Sequence, residues 1–144
     1  MDVFLKFAEP NQFENIKAIQ NKCINHNNKA IYSEEFFCLN GLKVALRNKC
    51  VLVAQVDDVV VGFVRFYINK REKRISIYQY AVLEQYRGNG ISLDMFEFLR
   101  KYYCLDLIVK CPTKIYFNNF YKNHRWFLCG EDNFCNNIWI LPFN

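Results

Sequence analysis

An arginine followed by two closely spaced glycines forms the stretch of this chain best suited to bind an anion. Arg87 precedes Gly88 and Gly90 within the segment from Val82 to Ser92, which reads VLEQYRGNGIS. Glycine lets the backbone come close to a ligand. The first N–H groups of a helix starting here would point outward without partners, at the positive end of the helix dipole. The pattern predicts a phosphate site, and a plain tight turn is the alternative.

The elements on either side must hold this loop. Residues 75–82 are apolar and β-rich, which predicts a strand leading into the loop. The residues after the loop that share one helical face are Ile91, Met95, Phe98, Leu99 and Tyr102. Residues 105–111 predict a short strand. Strand, helix and strand in this order imply a parallel pair joined by a right-handed crossover.

The remaining segments predict antiparallel strands and further helices. A short strand is expected over residues 2–8, and two more over 50–56 and 59–68, joined by a two-residue turn at Asp57-Asp58, with Gly62 at a bulge. A helix is expected over 12–25, with Asn11 and Glu14 as a capping box. Further predictions are a helix capped by Ser33 that contains Phe36, Leu39 and Leu46, a helix from Pro112 to Asn123, and a closing hairpin of 126–129 and 134–141.

Length, charge and cysteine content exclude several classes of protein. The 144 residues suit a single domain spanning 1–144. No run of 18 apolar residues is present, and the first residues lack the layout of a signal peptide, so neither a membrane span nor export is expected. The seven cysteines include no paired spacing typical of zinc sites, which favours reduced cysteines in a cytoplasmic protein and no metal. A charge of +5 does not by itself indicate nucleic acid.

The segment around the glycines resembles a known family motif. Val82, a Pro-Glu-Tyr-like stretch and then Arg87-Gly88-Asn89-Gly90-Ile91-Ser92 match, in order, the cofactor loop of the GCN5-related N-acetyltransferase (GNAT) family. Glu84 stands where the family often has proline, and Ser92 where it has glycine or alanine. The order of predicted strands and helices also resembles this family over nearly the whole chain.

The resemblance implies a fold, a cofactor and a reaction. The fold would be an α/β (α+β) acetyltransferase fold, with a mixed, mostly antiparallel sheet, a central parallel pair splayed at the cofactor site, and helices on both faces. The cofactor would be acetyl-CoA, giving coenzyme A as product, and the reaction acetyl transfer to a primary amine. The residues implied in cofactor binding are Ala81, Val82, Arg87, Gly88, Asn89, Gly90, Ile91 and Ser92.

One catalytic residue is implied as well. The run from Phe120 to Trp126 resembles the family's Phe-Tyr-x-x-x-Gly-Phe segment, in which the tyrosine often donates a proton to the departing sulfur. Tyr121 matches that tyrosine, while Arg125 replaces the glycine. The family's upstream asparagine would fall at Lys114, so that contact to the cofactor is not expected here.

The general base has several candidates and no clear one. Family members often carry a glutamate on the strand before the loop, but residues 77–80 contain no acid. The alternatives are water held by Tyr78 or Gln79, a carboxylate from Glu34 or Glu35, or a less basic amine that needs no strong base. His124 suits the role by residue type, yet a hydrogen-bonded histidine at a helix end is the simpler interpretation.

Two other functions compete with acetyl transfer. The same fold could bind coenzyme A without catalysis, as a regulatory or interaction module. The basic segment Lys70–Arg74 could contact nucleic acid, although its place between two strands predicts a solvated turn. The expected partner is therefore a small-molecule or peptide amine, not nucleic acid or a membrane. A homodimer is one expected assembly, because dimers are common in the family.

Overall fold

The computed structural model of the chain describes residues 1–23 and 39–144. The predicted helix cap Ser33, the helix residue Phe36 and the candidate bases Glu34 and Glu35 lie outside the described residues. The chain starts with strand β1 (Phe4–Phe7), a 3-10 turn (Pro10–Gln12) and helix α1 (Phe13–Cys23). Helix α2 follows at Leu39–Arg47 and buries Leu42, Ala45 and Leu46.

The start of α1 differs from its prediction. The backbone N–H of Glu9 donates to Oε1 of Gln12 (3.0 Å), so the capping pair is Glu9 and Gln12, at the 3-10 turn that leads into α1, rather than Asn11 and Glu14. Pro10 explains the shift, because proline suits the first position of a helical turn and starts the turn two residues earlier.

Seven strands form one sheet in the described part of the chain, in the order β1-β2-β3-β4-β5-β7-β6. The strands after β1 are β2 (Val51–Val56), β3 (Val59–Asn69), β4 (Arg74–Val82), β5 (Asp106–Pro112), β6 (Phe127–Glu131) and β7 (Asn136–Leu141), and the later helices are α3 (Ile91–Tyr103) and α4 (Phe117–Asn123). β1–β2, β2–β3, β5–β7 and β6–β7 pair antiparallel, whereas β4 and β5 pair parallel from Arg74–Asp106 to Ile77–Val109. The predicted fold class is confirmed.

The structure also tests two predictions about local geometry, the turn after β2 and the bulge in β3. Asp57 and Asp58 both have positive φ (51° and 65°), as a two-residue hairpin turn between twisted strands requires. The register of β2 against β3 shifts between Ala54 and Gln55, which leaves Val61 as the extra residue beside Gly62. The bulge predicted at Gly62 is therefore adjacent to it.

The predicted helix from Pro112 is shorter than expected. Pro112 is still the last residue of β5, where it pairs with Asn136, and residues 113–116 form turns. α4 begins only at Phe117. The proline was interpreted as a helix start, but it stands here at a strand end, a position it also tolerates.

The described residues divide into two compact units. The first contains residues 1–66 and 78–98, and its core includes Ile16, Leu42, Leu52, Phe63 and Met95. The second contains residues 67–77 and 99–144, and its core includes Ile75, Leu99, Leu107, Tyr121 and Trp139. β3, β4 and α3 each contribute residues to both units.

The described cysteines differ in how far they are buried. The six described cysteines are free thiols; Cys111 is buried, and burial raises the pKa of its thiol to about 11. Cys23 and Cys50 are half-buried, whereas Cys104, Cys129 and Cys135 are exposed, so apolar core packing accounts for only part of the set. No cluster of metal-binding side chains occurs among the described residues. In the same part of the chain, no helix is long and apolar enough to cross a bilayer.

Candidate functional site

The loop between β4 and α3 has the backbone that an anion site requires. A 3-10 turn (Glu84–Tyr86) follows β4, and Gly88 and Gly90 then adopt positive φ values of 82° and 76°. Side chains rarely tolerate this conformation, which explains both glycines. A Cβ atom added at either glycine would meet no protein atom within 4 Å, so open space lies beside the backbone.

Several backbone donors gather at this loop. The N–H of Asp94 donates to the carbonyl oxygen of Gly90 (2.9 Å), which places Gly90 at the N-cap of the 13-residue helix α3. Within the described residues, the N–H groups of residues 88–93 donate no hydrogen bond. Unpaired amides at the positive end of a helix dipole form an anion-binding site. The fold places Gly88, Asn89, Gly90, Ile91 and Ser92 at this helix start, and their role in binding the cofactor stays a prediction.

The side chains of Arg87 and Asn89 hold the loop in shape. Nε of Arg87 donates to the carbonyl oxygen of Val82 (2.8 Å), and Nη2 lies 3.6 Å from Sγ of Cys23. Nδ2 of Asn89 donates to the carbonyl oxygens of Tyr86 (3.0 Å) and Arg87 (3.4 Å). Arg87 thus ties together the end of β4, the loop and the end of α1, a role that the sequence motif did not indicate.

The end of β4 is packed closely against β3. A Cβ at Gly62 would lie 3.1 Å from the carbonyl oxygen of Ala81 and 3.2 Å from Cγ2 of Val82. The N–H of Leu83 donates to the carbonyl oxygen of Val61 (2.9 Å). Glycine at position 62 therefore suits this close approach, because a Cβ there would require Ala81 or Val82 to move by a few tenths of an ångström.

Tyr121 belongs to the second unit and is almost completely buried, with 3% of its surface exposed. Its ring makes an edge contact with Trp126 (centroids 5.2 Å apart), another with Phe120 (5.5 Å), and a tilted contact with Trp139 (6.1 Å). These contacts fix the ring firmly. Its predicted role as proton donor remains a prediction based on the motif.

Asn118 is a structural residue that sequence reasoning missed. Its Nδ2 donates to the carbonyl oxygens of Pro112, Thr113 and Ile115, at 2.9, 3.3 and 2.8 Å. Its Oδ1 accepts from Nε1 of Trp139 (2.9 Å) and Nδ2 of Asn137 (3.0 Å). An asparagine in the first turn after a proline-containing loop was the available signal, because asparagine often hydrogen-bonds to nearby backbone.

The candidate bases are placed as follows. Gln79 is buried, and its Oε1 accepts from Nε2 of the equally buried Gln20 (3.0 Å). Tyr78 is exposed, and its ring lies 5.4 Å from the Arg65 guanidinium carbon. Nδ1 of His124 donates to the carbonyl oxygen of Phe120 (2.7 Å) at the end of α4. The simpler interpretation of His124, a hydrogen-bonded helix-end residue, is thus supported.

One sizeable cavity lies elsewhere in the first unit. Its volume is about 450 Å³, and none of its lining residues belongs to the loop; they are Pro10, Phe13, Asn40, Lys43, Val44, Leu46 and Arg47. Nζ of Lys43 lies 5.0 Å from the centre of the Phe13 ring. This cavity is therefore distinct from the predicted site.

Comparison with known families assigns the chain. Residues 13–130 match the acetyltransferase (GNAT) family, so the chain belongs to this family. That range includes the glycine loop and Tyr121. No protein of curated function matches the chain.

Solved structures support the same assignment at the level of the fold. The PaiA N-acetyltransferase from Thermoplasma acidophilum, in complex with coenzyme A, superposes with a TM-score of 0.79 at 14% identity over 99% of both chains. Ard1 from Thermoplasma volcanium gives 0.71 at 17% identity, over 97% of this chain and 95% of that one. N-acetylglutamate synthase from Neisseria gonorrhoeae, complexed with coenzyme A and N-acetyl-glutamate, gives 0.76 at 12% identity over 100% of this chain and 36% of its own.

Proposed function

We propose that this protein is an acetyl-CoA-dependent N-acetyltransferase that acts as a single domain in the cytoplasm and modifies a primary amine. The observation that carries the proposal is the group of unpaired backbone amides at residues 88–93, beside two glycines of positive φ, in a chain of the acetyltransferase family. Coenzyme A carries a pyrophosphate that such a site suits, and acetyl-CoA supplies the thioester-activated acetyl group.

We assign the residues the following roles. The amides of residues 88–92 bind the pyrophosphate, while Arg87 and Asn89 keep the loop in its binding shape through the bonds described above. Backbone groups of Ala81 and Val82 align the arm of the cofactor. During transfer, a C–N bond forms and a C–S bond breaks. The amine loses a proton, and the sulfur gains one, which we assign to the hydroxyl of Tyr121.

Substitution of Gly90 tests the cofactor loop. In Gly90→Val, a branched side chain would fill the open space beside the amides and strain the positive φ, so we expect affinity for acetyl-CoA to fall at least about 100-fold, the equivalent of roughly two lost hydrogen bonds. Isothermal titration calorimetry measures the affinity. Gly130→Val is the matched control, because Gly130 also has positive φ with open space but lies in β6.

The control separates strain from lost binding. If Gly130→Val weakened binding as much as Gly90→Val, the effect would reflect general destabilisation. Equal affinity of Gly90→Val and wild type would show that the pyrophosphate does not bind at this loop.

A coenzyme A-binding module without catalysis is the second candidate function. The neutral pair of Gln79 and Gln20, buried where family members often place a glutamate, favours it. Release of free coenzyme A thiol over a panel of primary amines distinguishes the two functions. Turnover with any amine supports the enzyme, whereas tight binding without thiol release across the panel supports the module.

A further inference from the structure

The cavity of about 450 Å³ in the first unit lies between the start of α1, with the 3-10 turn before it, and one face of α2. We call it the α1–α2 cavity. Its apolar walls are Pro10, Phe13, Val44 and Leu46, and Nζ of Lys43 lies 5.0 Å from the centre of the Phe13 ring. Val44 is 45% exposed, so the cavity keeps apolar surface in contact with water. A volume of this size, mostly apolar with a few polar groups, is typical of small-molecule sites.

The polar groups of the cavity are two cations and one amide. Asn40, Lys43 and Arg47 line it, at the i, i+3 and i+7 positions that share one face of α2. Helix α2, which reads LNGLKVALR, contains no acid. Within the described residues, neither Lys43 nor Arg47 forms an ion pair. Glu9 and Glu14, the acids nearest in sequence to the opposite wall, are exposed and do not line the cavity. The positive charge of this face therefore calls for an anion from outside the chain.

The end of α2 opposes such an anion less than a helix end usually does. A helix C-terminus normally presents free carbonyl oxygens with a partial negative charge. Here the N–H groups of residues 48–50 donate to the carbonyl oxygens of residues 44–46, at 2.8 to 3.2 Å. Lys49 adopts the positive φ (57°) that this kind of helix end requires, and it adds a further positive charge beside Arg47.

We propose that the α1–α2 cavity is a second ligand site, which binds a small organic anion with an apolar body, such as a medium-chain carboxylate. The apolar body lies against Phe13 and Val44. The carboxylate accepts from the guanidinium of Arg47, whose planar fork matches two carboxylate oxygens, and Lys43 adds its charge. The inference does not depend on acetyl transfer, since it uses no residue of the cofactor loop.

Chemical-shift mapping on the full chain locates the site. Decanoate is the probe, because it joins a carboxylate to an unbranched apolar chain. In a two-dimensional amide NMR spectrum it should shift the signals of Phe13, Lys43, Val44 and Arg47 and leave those of residues 88–92 in place, with a dissociation constant below about 1 mM. Decanol has the same chain length without the charge. It should bind at least about tenfold more weakly, because a charge-assisted hydrogen bond is lost.

Charge reversal tests the role of Arg47. Arg47→Glu should weaken decanoate binding at least about tenfold, because the carboxylate then meets a like charge. Lys101→Glu is the matched control: it makes the same kind of charge change at an exposed position in the last turn of another helix, α3, outside the cavity. It should keep the wild-type affinity within about twofold.

Filling the cavity is an independent test of its walls. Val44→Trp should abolish decanoate binding, whereas Val59→Trp, which enlarges an exposed valine (56%) at the start of β3, should not. Shifts confined to other residues, wild-type affinity in Arg47→Glu or Val44→Trp, or decanol binding as tightly as decanoate would each overturn the proposal. Binding of phosphatidylglycerol vesicles without binding of free decanoate would overturn it as well, and would assign this face to membrane contact.

Discussion

At the scale of single residues, Arg87 joins parts of the chain that are far apart in sequence. Its guanidinium contacts the Val82 carbonyl, five residues before it, and the Cys23 sulfur, 64 residues before it. A guanidinium carries five donors in a fixed planar fork, so one side chain can hold a strand end and still present charge to an anion. Arg87 therefore mainly holds the shape of the loop, and it also adds positive charge to the site.

Tyr121 carries the prediction that belongs to the reaction itself. The sulfur of coenzyme A has a thiol pKa near that of free cysteine, about 8.5, so it is a tolerable leaving group without help. We expect Tyr121→Phe to lower turnover by about 100-fold, at the low end of general acid catalysis, and to leave cofactor affinity and melting temperature nearly unchanged. Steady-state kinetics, calorimetry and a thermal melt measure the three quantities.

The exposed Tyr116 provides the control for that substitution. Tyr116→Phe removes a hydroxyl from the same residue type at the surface and should leave turnover, cofactor affinity and melting temperature unchanged. A fall in melting temperature for Tyr121→Phe would assign its hydroxyl to the core of the second unit. If Tyr121→Phe kept the wild-type turnover, the proton donor would be another residue.

The part of the candidate site that depends on residues close together in the sequence could be predicted. Gly88 and Gly90 are separated by one residue and precede an amphipathic helix, so the sequence alone indicates a loop of accessible backbone and the helix start. The contacts of Arg87 with Cys23, and of Gln79 with Gln20, join residues 64 and 59 positions apart. Such contacts depend on how α1 packs against β4, which hydrophobic periodicity does not specify.

At the scale of elements, β5 and α4 are connected by a turn whose geometry depends on Asn118. The prediction that a helix starts at Pro112 was wrong because proline marks both helix starts and strand ends. The carbonyl oxygens of Pro112, Thr113 and Ile115 all accept from one amide group, which holds the turn before α4 begins. Strands β2 to β4 were predicted well, since a run of valines and a two-residue turn are strong local signals.

Removal of the Asn118 amide should therefore destabilise this connection. Asn118→Ala loses five hydrogen bonds and leaves the indole N–H of Trp139 without its acceptor, so we expect a loss of about 3 kcal/mol or more in the free energy of unfolding. Asn118→Asp keeps the acceptor for Trp139 but turns a carboxylate oxygen toward three carbonyl oxygens, so it should also be destabilised. Urea unfolding measures both variants.

The neighbouring Asn119 is the matched control, because it is exposed and lies in the same helix. Asn119→Ala should stay within about 0.5 kcal/mol of the wild-type free energy of unfolding. If Asn118→Ala were no less stable than Asn119→Ala, the turn would be held by its backbone alone.

At the scale of the whole molecule, the positive charge is not concentrated at the cofactor loop. The formal charge is +5, and the segment Lys70–Arg74 contributes four of the basic residues. Residues 70–73 form the exposed turn between β3 and β4, and the N–H of Glu72 donates to Oδ1 of Asn69 (3.0 Å). The predicted turn is confirmed, and its side chains project into solvent.

The basic turn should not contribute to cofactor binding. It precedes β4 whereas the loop follows it, and the nine residues of β4 at about 3.3 Å each make that strand roughly 30 Å long. Fields of exposed charges decay over about 8 Å at physiological salt. The double variant Arg71→Glu/Lys73→Glu should therefore change the affinity for acetyl-CoA by less than about twofold. Gly90→Val, measured by the same titration, should lose most of that affinity. A tenfold loss in the double variant would mean that the cofactor extends to the basic turn, and that the loop is only one part of a larger anion-binding surface.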